Sequence, residues 1–187
     1  MVKPNSNSTL AFAILGLIGQ GPRSGYDLRK FFSSTPMASF SDSPGAIYPA
    51  LVRLEKRGLV RGYVEKQQNL RGRKVFHLTA RGRAEFRKWQ TQPIRRKDVV
   101  RNLDRLMLRF AFMDQFAGKL AALRFLKGLH RELAAYIPNL RNYVRSNRES
   151  MPQSGALALE SGIRTCEAQL RWARAAMATY GKAKGER

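Results

Sequence analysis

The chain has little of what catalytic and metal sites are usually built from. It holds one cysteine and two histidines in 187 residues. The lone Cys166 excludes an intramolecular disulfide and any cysteine-rich zinc site. His77 and His130 stand in no HExxH or similar spacing, no GxxxxGK[ST] loop occurs, and no paired carboxylates accompany either histidine. No catalytic residue, cofactor or metal is therefore expected, and an enzyme is disfavoured. Acidic residues are scarce too: 13 Asp+Glu stand against 35 Lys+Arg, a formal net charge of +22. Long apolar runs are missing. Leu10 to Ile18 spans only nine residues, whereas a bilayer crossing needs about 20. The polar opening MVKPNSN lacks a signal-peptide pattern. A cytoplasmic protein with no membrane partner is the expectation.

The excess charge is evenly spread. Split at Gln92, the first part carries 16 basic and 5 acidic residues and the remainder 19 and 8, so each part is +11. Such a field suits a polyanion that the whole protein approaches. A non-specific architectural nucleic-acid-binding protein would share it, as would a merely basic soluble protein. Hydrophobic content of 43% permits a packed core.

Punctuation along the chain gives the order of elements. Residues 1–8 read as a flexible arm. Thr9 to Gly19 is apolar nearly all round, as in a short buried helix, and Gln20-Gly-Pro-Arg breaks it. Ser24 followed by Asp27 resembles a capping box opening a helix through about Phe32, and Ser33 to Asp42 reads as a loop. Ser43-Pro44 sets an N-cap and a first-turn proline. Ile47, Leu51 and Leu54 follow at helical spacing, and Gly58 ends the helix. Pro49 fits awkwardly there, so either the helix begins nearer Ala46 or its first turn is irregular. Leu59 to Glu65 and Lys74 to Leu78 read as short strands around a long polar loop containing Gly72. Thr79 then caps a helix from Ala80 to about Gln92.

That succession is a helix-turn-helix followed by a β-wing, which points to duplex DNA. Opposite Ile47, Leu51 and Leu54 the second helix presents Ala46, Pro49, Arg53 and Lys56, with Ser43 and Tyr48 near its start. N-terminal residues of such a helix reach base edges in the major groove. Arg53 is the leading candidate for phosphate or guanine contact, although a solvated arginine would look the same. Tyr48 either meets DNA or packs at the domain surface. Arg71, Arg73 and Lys74 put three cations on a flexible tip suited to phosphate or the minor groove. Ser24 and Tyr26 complete the candidate DNA-binding set.

Pro93 and Arg95-Arg96-Lys97 mark an internal boundary, beyond which every segment is helical in pattern. Leu103, Leu106, Phe110, Met113 and Ala117 alternate steps of three and four. Leu126, Leu129, Leu133, Ile137 and Leu140 do the same, although Pro138 should kink or interrupt that helix. Leu159, Ile163, Cys166, Leu170, Ala173, Met177 and Tyr180 form a heptad seam that demands a partner helix. Dimerisation is accordingly expected through Leu103, Leu106, Phe110, Leu159, Ile163, Cys166, Leu170, Ala173 and Met177. Cys166 in that seam is expected to be buried, a redox bridge between two copies being the minority reading. Trp89 and Trp172 read as packing anchors. Trp172 is also the one candidate for holding an aromatic effector between helices.

The residues at this point resemble a known family, the PadR-type transcriptional regulators. LAFAILGLIGQGPRSGYDLRKFF is similar to the family's opening helix and its Gly-Tyr-acidic-Leu element. GAIYPALVRLEKRGLV resembles its Gly-x-Ile-Tyr-Pro signature, and RKVFHLTARG the strand and LTxxG element after the wing. The match covers roughly residues 9–90, and the tail is a weaker match. The resemblance implies a homodimeric repressor that binds an inverted repeat and is released by a small molecule. It further implies that Ser43, Tyr48 and the helix around them read DNA, with Arg71, Arg73 and Lys74 on the backbone, and that the C-terminal helices make the dimer. The expected fold is mainly α with a small β-hairpin. It comprises an arm (1–8), a winged helix-turn-helix domain (9–92), a helical, coiled-coil-like dimerisation and effector domain (93–180) and a basic tail (181–187).

Overall fold

The computed structural model describes residues 8–40, 43–67 and 70–182. The expected arm and basic tail fall almost wholly outside these, as does the side chain of Arg71. The chain divides into two compact units, residues 1–90 and 91–187.

The first unit begins with helix α1, Thr9–Gln20, capped by Ser8, whose Oγ accepts from the Ala11 N–H at 3.2 Å. Its all-round apolar sequence is matched by burial of every residue from Ala11 to Ile18. A two-residue strand β1, Arg23–Ser24, leads into α2, Gly25–Ser33. The Ser24/Asp27 capping box forms in full: the Asp27 N–H donates to Ser24 Oγ at 3.1 Å and the Ser24 N–H to Asp27 Oδ2 at 2.9 Å. Part of the expected loop after α2 is a 3-10 helix, Pro36–Phe40.

Helix α3 spans Pro44–Lys56 with Pro49 inside it. It starts at Pro44 rather than near Ala46, and its first turn is tight, because the Ser43 carbonyl accepts from both Ala46 and Ile47. The N–H that Pro49 lacks would have served the carbonyl of Gly45, an exposed residue, so the missing bond falls where the helix meets solvent. Ser43 holds the N-cap position without a side-chain cap bond. At the other end Gly58 takes φ +67°, the Leu59 N–H returns to the Leu54 carbonyl at 2.9 Å and the Gly58 N–H to Glu55 at 2.8 Å, a Schellman closure.

Strands β2, Val60–Gln67, and β3, Leu70–Leu78, form an antiparallel pair, with β1 on the other side of β3. Pairing continues to Gln67↔Leu70, with a register shift between Glu65 and Gln67. The long polar loop expected here is therefore mostly ladder. Thr79 opens α4, Ala80–Gln90, accepting from the Gly82 N–H at 2.9 Å and donating to the Gly58 carbonyl at 2.7 Å. Gly82 is obligatory: a Cβ there would lie 2.0 Å from the Leu59 carbonyl oxygen. Ile14, Leu28, Phe32, Ile47, Leu51, Leu54 and Phe86 are almost completely buried, and Trp89 stacks on Phe12 with ring centroids 4.1 Å apart.

The second unit is helical: α5, Arg96–Arg101; α6, Leu103–Ala111; α7, Met113–Phe116; α8, Lys119–Asn147; and α9, Gln153–Lys182. The three-four series from Leu103 to Ala117 crosses a break rather than one helix. Phe112 lies off that apolar stripe yet is only 5% exposed, so interruption between α6 and α7 turns its ring inward. By contrast α8 runs through Pro138 without interruption. The proline and Ala134, whose carbonyl loses its partner, are both exposed.

Leu126, Leu129, Leu133 and Ile137 of α8 share one core with Ile163, Cys166, Leu170, Ala173, Met177 and Tyr180 of α9. The seam thus finds its partner helix inside the same chain, and its periodicity does not by itself require a second copy. Burial raises the Cys166 thiol pKa, and the neighbouring Glu167 charge raises it further. Arg109, only 4% exposed, lies over the Phe125 ring and donates to the Gln92 carbonyl. Burial lowers its pKa to about 10. Among the described residues no helix is long and apolar enough to cross a membrane.

Candidate nucleic-acid interface

Helix α3 turns Ile47, Ala50, Leu51 and Leu54 inward. Its other faces carry exposed Tyr48, Pro49, Val52, Arg53 and Lys56, with Ser43 exposed at the start and Ala46 half-buried. These candidates therefore share one helix and its open side.

Tyr48 is 47% exposed and packs on the start of α2. A Cβ on Gly25 would meet its Cε1 at 2.4 Å, so the glycine is what admits the ring. Surface packing and an outward-facing edge coexist in this one residue. Tyr26 is 58% exposed, with the Arg29 guanidinium 5.4 Å from its ring centroid. Ser24 differs from the rest of the set. It is 5% exposed and its hydroxyl is spent within the capping box, donating to Asp27 Oδ2 at 2.8 Å. Its hydroxyl is taken up by the cap, while the residue still lines the cleft beside Tyr26 and Tyr48.

The wing cations also depart from expectation. Arg73 and Lys74 stand in the β3 ladder opposite Glu65 and Val64, not on a flexible tip. Arg73 lies 3.3 Å from Glu65 and 3.6 Å from Asp27. Lys74 Nζ donates to Glu55 Oε2 at 2.7 Å, while Glu55 Oε1 accepts from the Gly62 N–H at 3.0 Å. The Lys74 hydrogen bond is the main cause holding the Glu55 carboxyl below its usual range, and it outweighs the partial burial that acts the other way. At Asp27 burial pushes the pKa up, but the Ser24 hydrogen bonds and the Arg73 charge prevail, leaving it below the ordinary value. A basic strand is thereby fastened to α2 and α3 by two carboxylates.

Sequence reasoning left Asp27, Glu55, Gly62 and Val52 without a role at this surface. Glu55 had a readable signal, as one of only 5 acidic residues before Gln92, three positions ahead of the helix-ending Gly58. Together Tyr26, Tyr48, Leu51, Val52, Phe76 and the charged rim of Glu55, Arg73 and Lys74 line an open cleft of about 520 Å³. Among the described residues no cluster of His, Cys, Asp and Glu is arranged to hold a metal ion.

The dimerisation candidates are drawn into the interior of the helical unit. Leu106, Ile163, Cys166 and Ala173 are buried, and Leu103, Phe110, Leu170 and Met177 pack against the same core; Leu159 is half-buried. Trp172 meets Phe110 edge-on with centroids 5.2 Å apart, which accounts for it as a packing residue.

A helix pair closed by a Schellman turn, with a three-stranded sheet whose wing strand is fastened to both helices by Asp27 and Glu55, defines a winged helix-turn-helix fold. The comparisons with known proteins agree with this. The chain belongs to the transcriptional regulator PadR-like family, which matches residues 14–88. The negative transcriptional regulator PadR of Bacillus subtilis strain 168 is 31% identical over 137 residues, covering 67% of this chain and 75% of the relative. Two crystal structures of Bacillus subtilis PadR are also similar. The one with operator DNA is 23% identical with a TM-score of 0.45, covering 94% of this chain and 99% of its own. The one with p-coumaric acid is 21% identical with a TM-score of 0.40, covering 95% and 99%.

Proposed function

We propose that this protein is a sequence-specific DNA-binding repressor that acts as a homodimer on an inverted repeat. The observation that carries the reading is the open face of α3. Tyr48, Pro49, Arg53 and Lys56 are all exposed opposite the buried Ile47, Leu51 and Leu54, the side a recognition helix offers to the major groove. The operator complex of the Bacillus subtilis relative is in keeping with it. Ser43 and the start of α3 approach the bases, Arg53 bonds phosphate or guanine, and Arg73 and Lys74 reach the backbone by exchanging carboxylate partners for phosphate. Two copies read half-sites about one helical turn apart, roughly 34–36 Å. With the α9 seam occupied by α8, pairing uses other faces of the helical unit, where Tyr143 and Leu157 are exposed.

Titration of a duplex selected from a random pool tests the reading. Arg53→Ala weakens binding to all duplexes and lowers the log–log salt slope by about two, one phosphate contact being lost from each protomer, whereas Tyr48→Ala also erodes preference for the selected site. Unchanged affinity in both variants would show that α3 is not the reading element. Uniform rather than discrete footprints would favour an architectural DNA-binding protein. Release by a small aromatic effector is probed with p-coumaric acid, the molecule bound by the relative: a site-specific complex that dissociates on its addition supports an effector of that class.

A further inference from the structure

Half of the charge excess lies in the helical unit, and on one helix of it the cations are concentrated on one side. Helix α8 carries six basic residues, Lys119, Arg124, Lys127, Arg131, Arg141 and Arg145, and a single acid, Glu132. Arg148 follows at its end. From Arg124 onward the cations recur on two neighbouring heptad positions: Arg124, Arg131 and Arg145 on one, Lys127, Arg141 and Arg148 on the other. The first position faces away from the buried row Ala122, Leu126, Leu129, Leu133 and Ile137 and the second flanks α9, and all six of these side chains are exposed. Arg131 is paired with Glu132 and Arg141 with Glu167. Arg124, Lys127, Arg145 and Arg148 have no carboxylate within ion-pairing distance among the described residues.

We infer that this stripe is a second nucleic-acid surface, which holds the phosphate backbone of duplex DNA flanking the site read by the winged unit. The inference rests on the proposed reading of that unit as DNA-binding. At about 1.5 Å per residue, Arg124 to Arg148 extends roughly 36 Å, the length of one turn of B-DNA. Five of the six cations are arginine, whose fork bonds phosphate oxygens in pairs. The contact carries no sequence information and adds affinity through counterion release. A membrane surface fits less well. An interfacial helix must lay an apolar face among the headgroups, and that face of α8 is already occupied by α9.

The test uses the full chain and the triple variant Arg124→Gln/Lys127→Gln/Arg145→Gln. Each is titrated against a 20-base-pair duplex carrying a sequence selected by the wild-type protein, and against a 60-base-pair duplex centred on it. Both titrations are repeated across a salt series. Wild-type protein should bind the longer duplex roughly tenfold more tightly and with a steeper slope. The variant should lose that gain, with the slope on the long duplex reduced by up to about 5 at roughly 0.9 per phosphate contact, three contacts being lost from each protomer of the dimer. It should keep the wild-type affinity on the short one. The matching Lys variant, with cations retained at 124, 127 and 145, should restore the slope, separating charge from damage to the helix. Equal slopes for wild type and triple variant on the long duplex would overturn the inference. So would loss of binding to phosphatidylserine vesicles with DNA binding intact. If selection returns no preferred sequence, the regulator reading fails, while a random 60-base-pair duplex still decides whether the stripe binds DNA.

Discussion

Lys74 Nζ sits 2.7 Å from Glu55 Oε2, so a cation of the wing is held by an acid of the helix that the wing flanks. The other oxygen of the same carboxylate takes the Gly62 N–H. One side chain of α3 therefore grips both wing strands. Gly62 is part of the device, since a Cβ there would lie 2.2 Å from Lys74 Cε and 2.8 Å from Glu55 Oε1. Both partners are partly exposed, and a pair of this kind contributes at most about 1 kcal/mol. Its value lies in orientation. Glu55→Ala and Gly62→Val are expected to leave the fold intact by circular dichroism while raising the dissociation constant for the selected duplex several-fold. Wild-type affinity in both variants would show that the wing needs no such anchor.

The same carboxylate gives a pH dependence of known sign. Its folded pKa is depressed, so its contribution is present above the unfolded value of about 4.3 and is lost as pH falls through the lower folded value. The Gly62 amide proton should follow that titration in an NMR series, with a midpoint below the ordinary glutamate range. In Glu55→Gln the shift should vanish. A midpoint at or above 4.3 would contradict the hydrogen bonds assigned to Glu55.

Tyr180 donates to Asp114 Oδ2 at 2.7 Å. Burial first, then that bond, raises its pKa to about 12. A raised pKa means the contribution is complete below the unfolded value near 10 and disappears as pH climbs through 12. In an ultraviolet titration of the six tyrosines, one should ionise last, and Tyr180→Phe should remove that step. Loss of α9 helicity should accompany the step.

Ala173 is fully buried in the α8–α9 seam. Ala173→Leu should destabilise the helical unit by about 1–3 kcal/mol through overpacking, visible as a lowered Tm. Leu170→Glu should do more, because it places a carboxylate at the edge of an apolar core. The expected product is an unfolded helical unit, read as lost helicity, rather than a well-folded monomer. A folded monomer by light scattering and circular dichroism would return the seam to the dimer interface.

Local signals were legible in the sequence, and long-range pairings were not. Ser24 with Asp27, Gly58, and Thr79 before Ala80 each act within a few residues, so their chemistry could be read from spacing alone. Strand β1 has two residues and no periodicity, and only β3 beside it makes it a strand. The Arg71–Lys74 run looked like loop because its composition is polar. Its place in a ladder comes from backbone pairing with β2, and its side chains find their partners in Asp27, Glu55 and Glu65, 8 to 46 positions away along the chain. The periodicity of α9 announced a partner helix without saying whose. α8 fills that role at close range, joined by a short turn. At the candidate interface, residues on α3 could be listed from helical spacing, whereas the burial of Ser24 followed from its own cap.

Cys166 is the single thiol of the chain and lies inside the α8–α9 core. While folded, the molecule presents bulky maleimides and nitroxide reagents with almost nothing to react with. A cysteine introduced at the surface, at the exposed Val64 of β2, would then be the one labelled position without prior removal of the native residue. Two such labels, one on each copy of an assembly, would turn its spacing on DNA into a ruler readable by pulsed electron spin resonance.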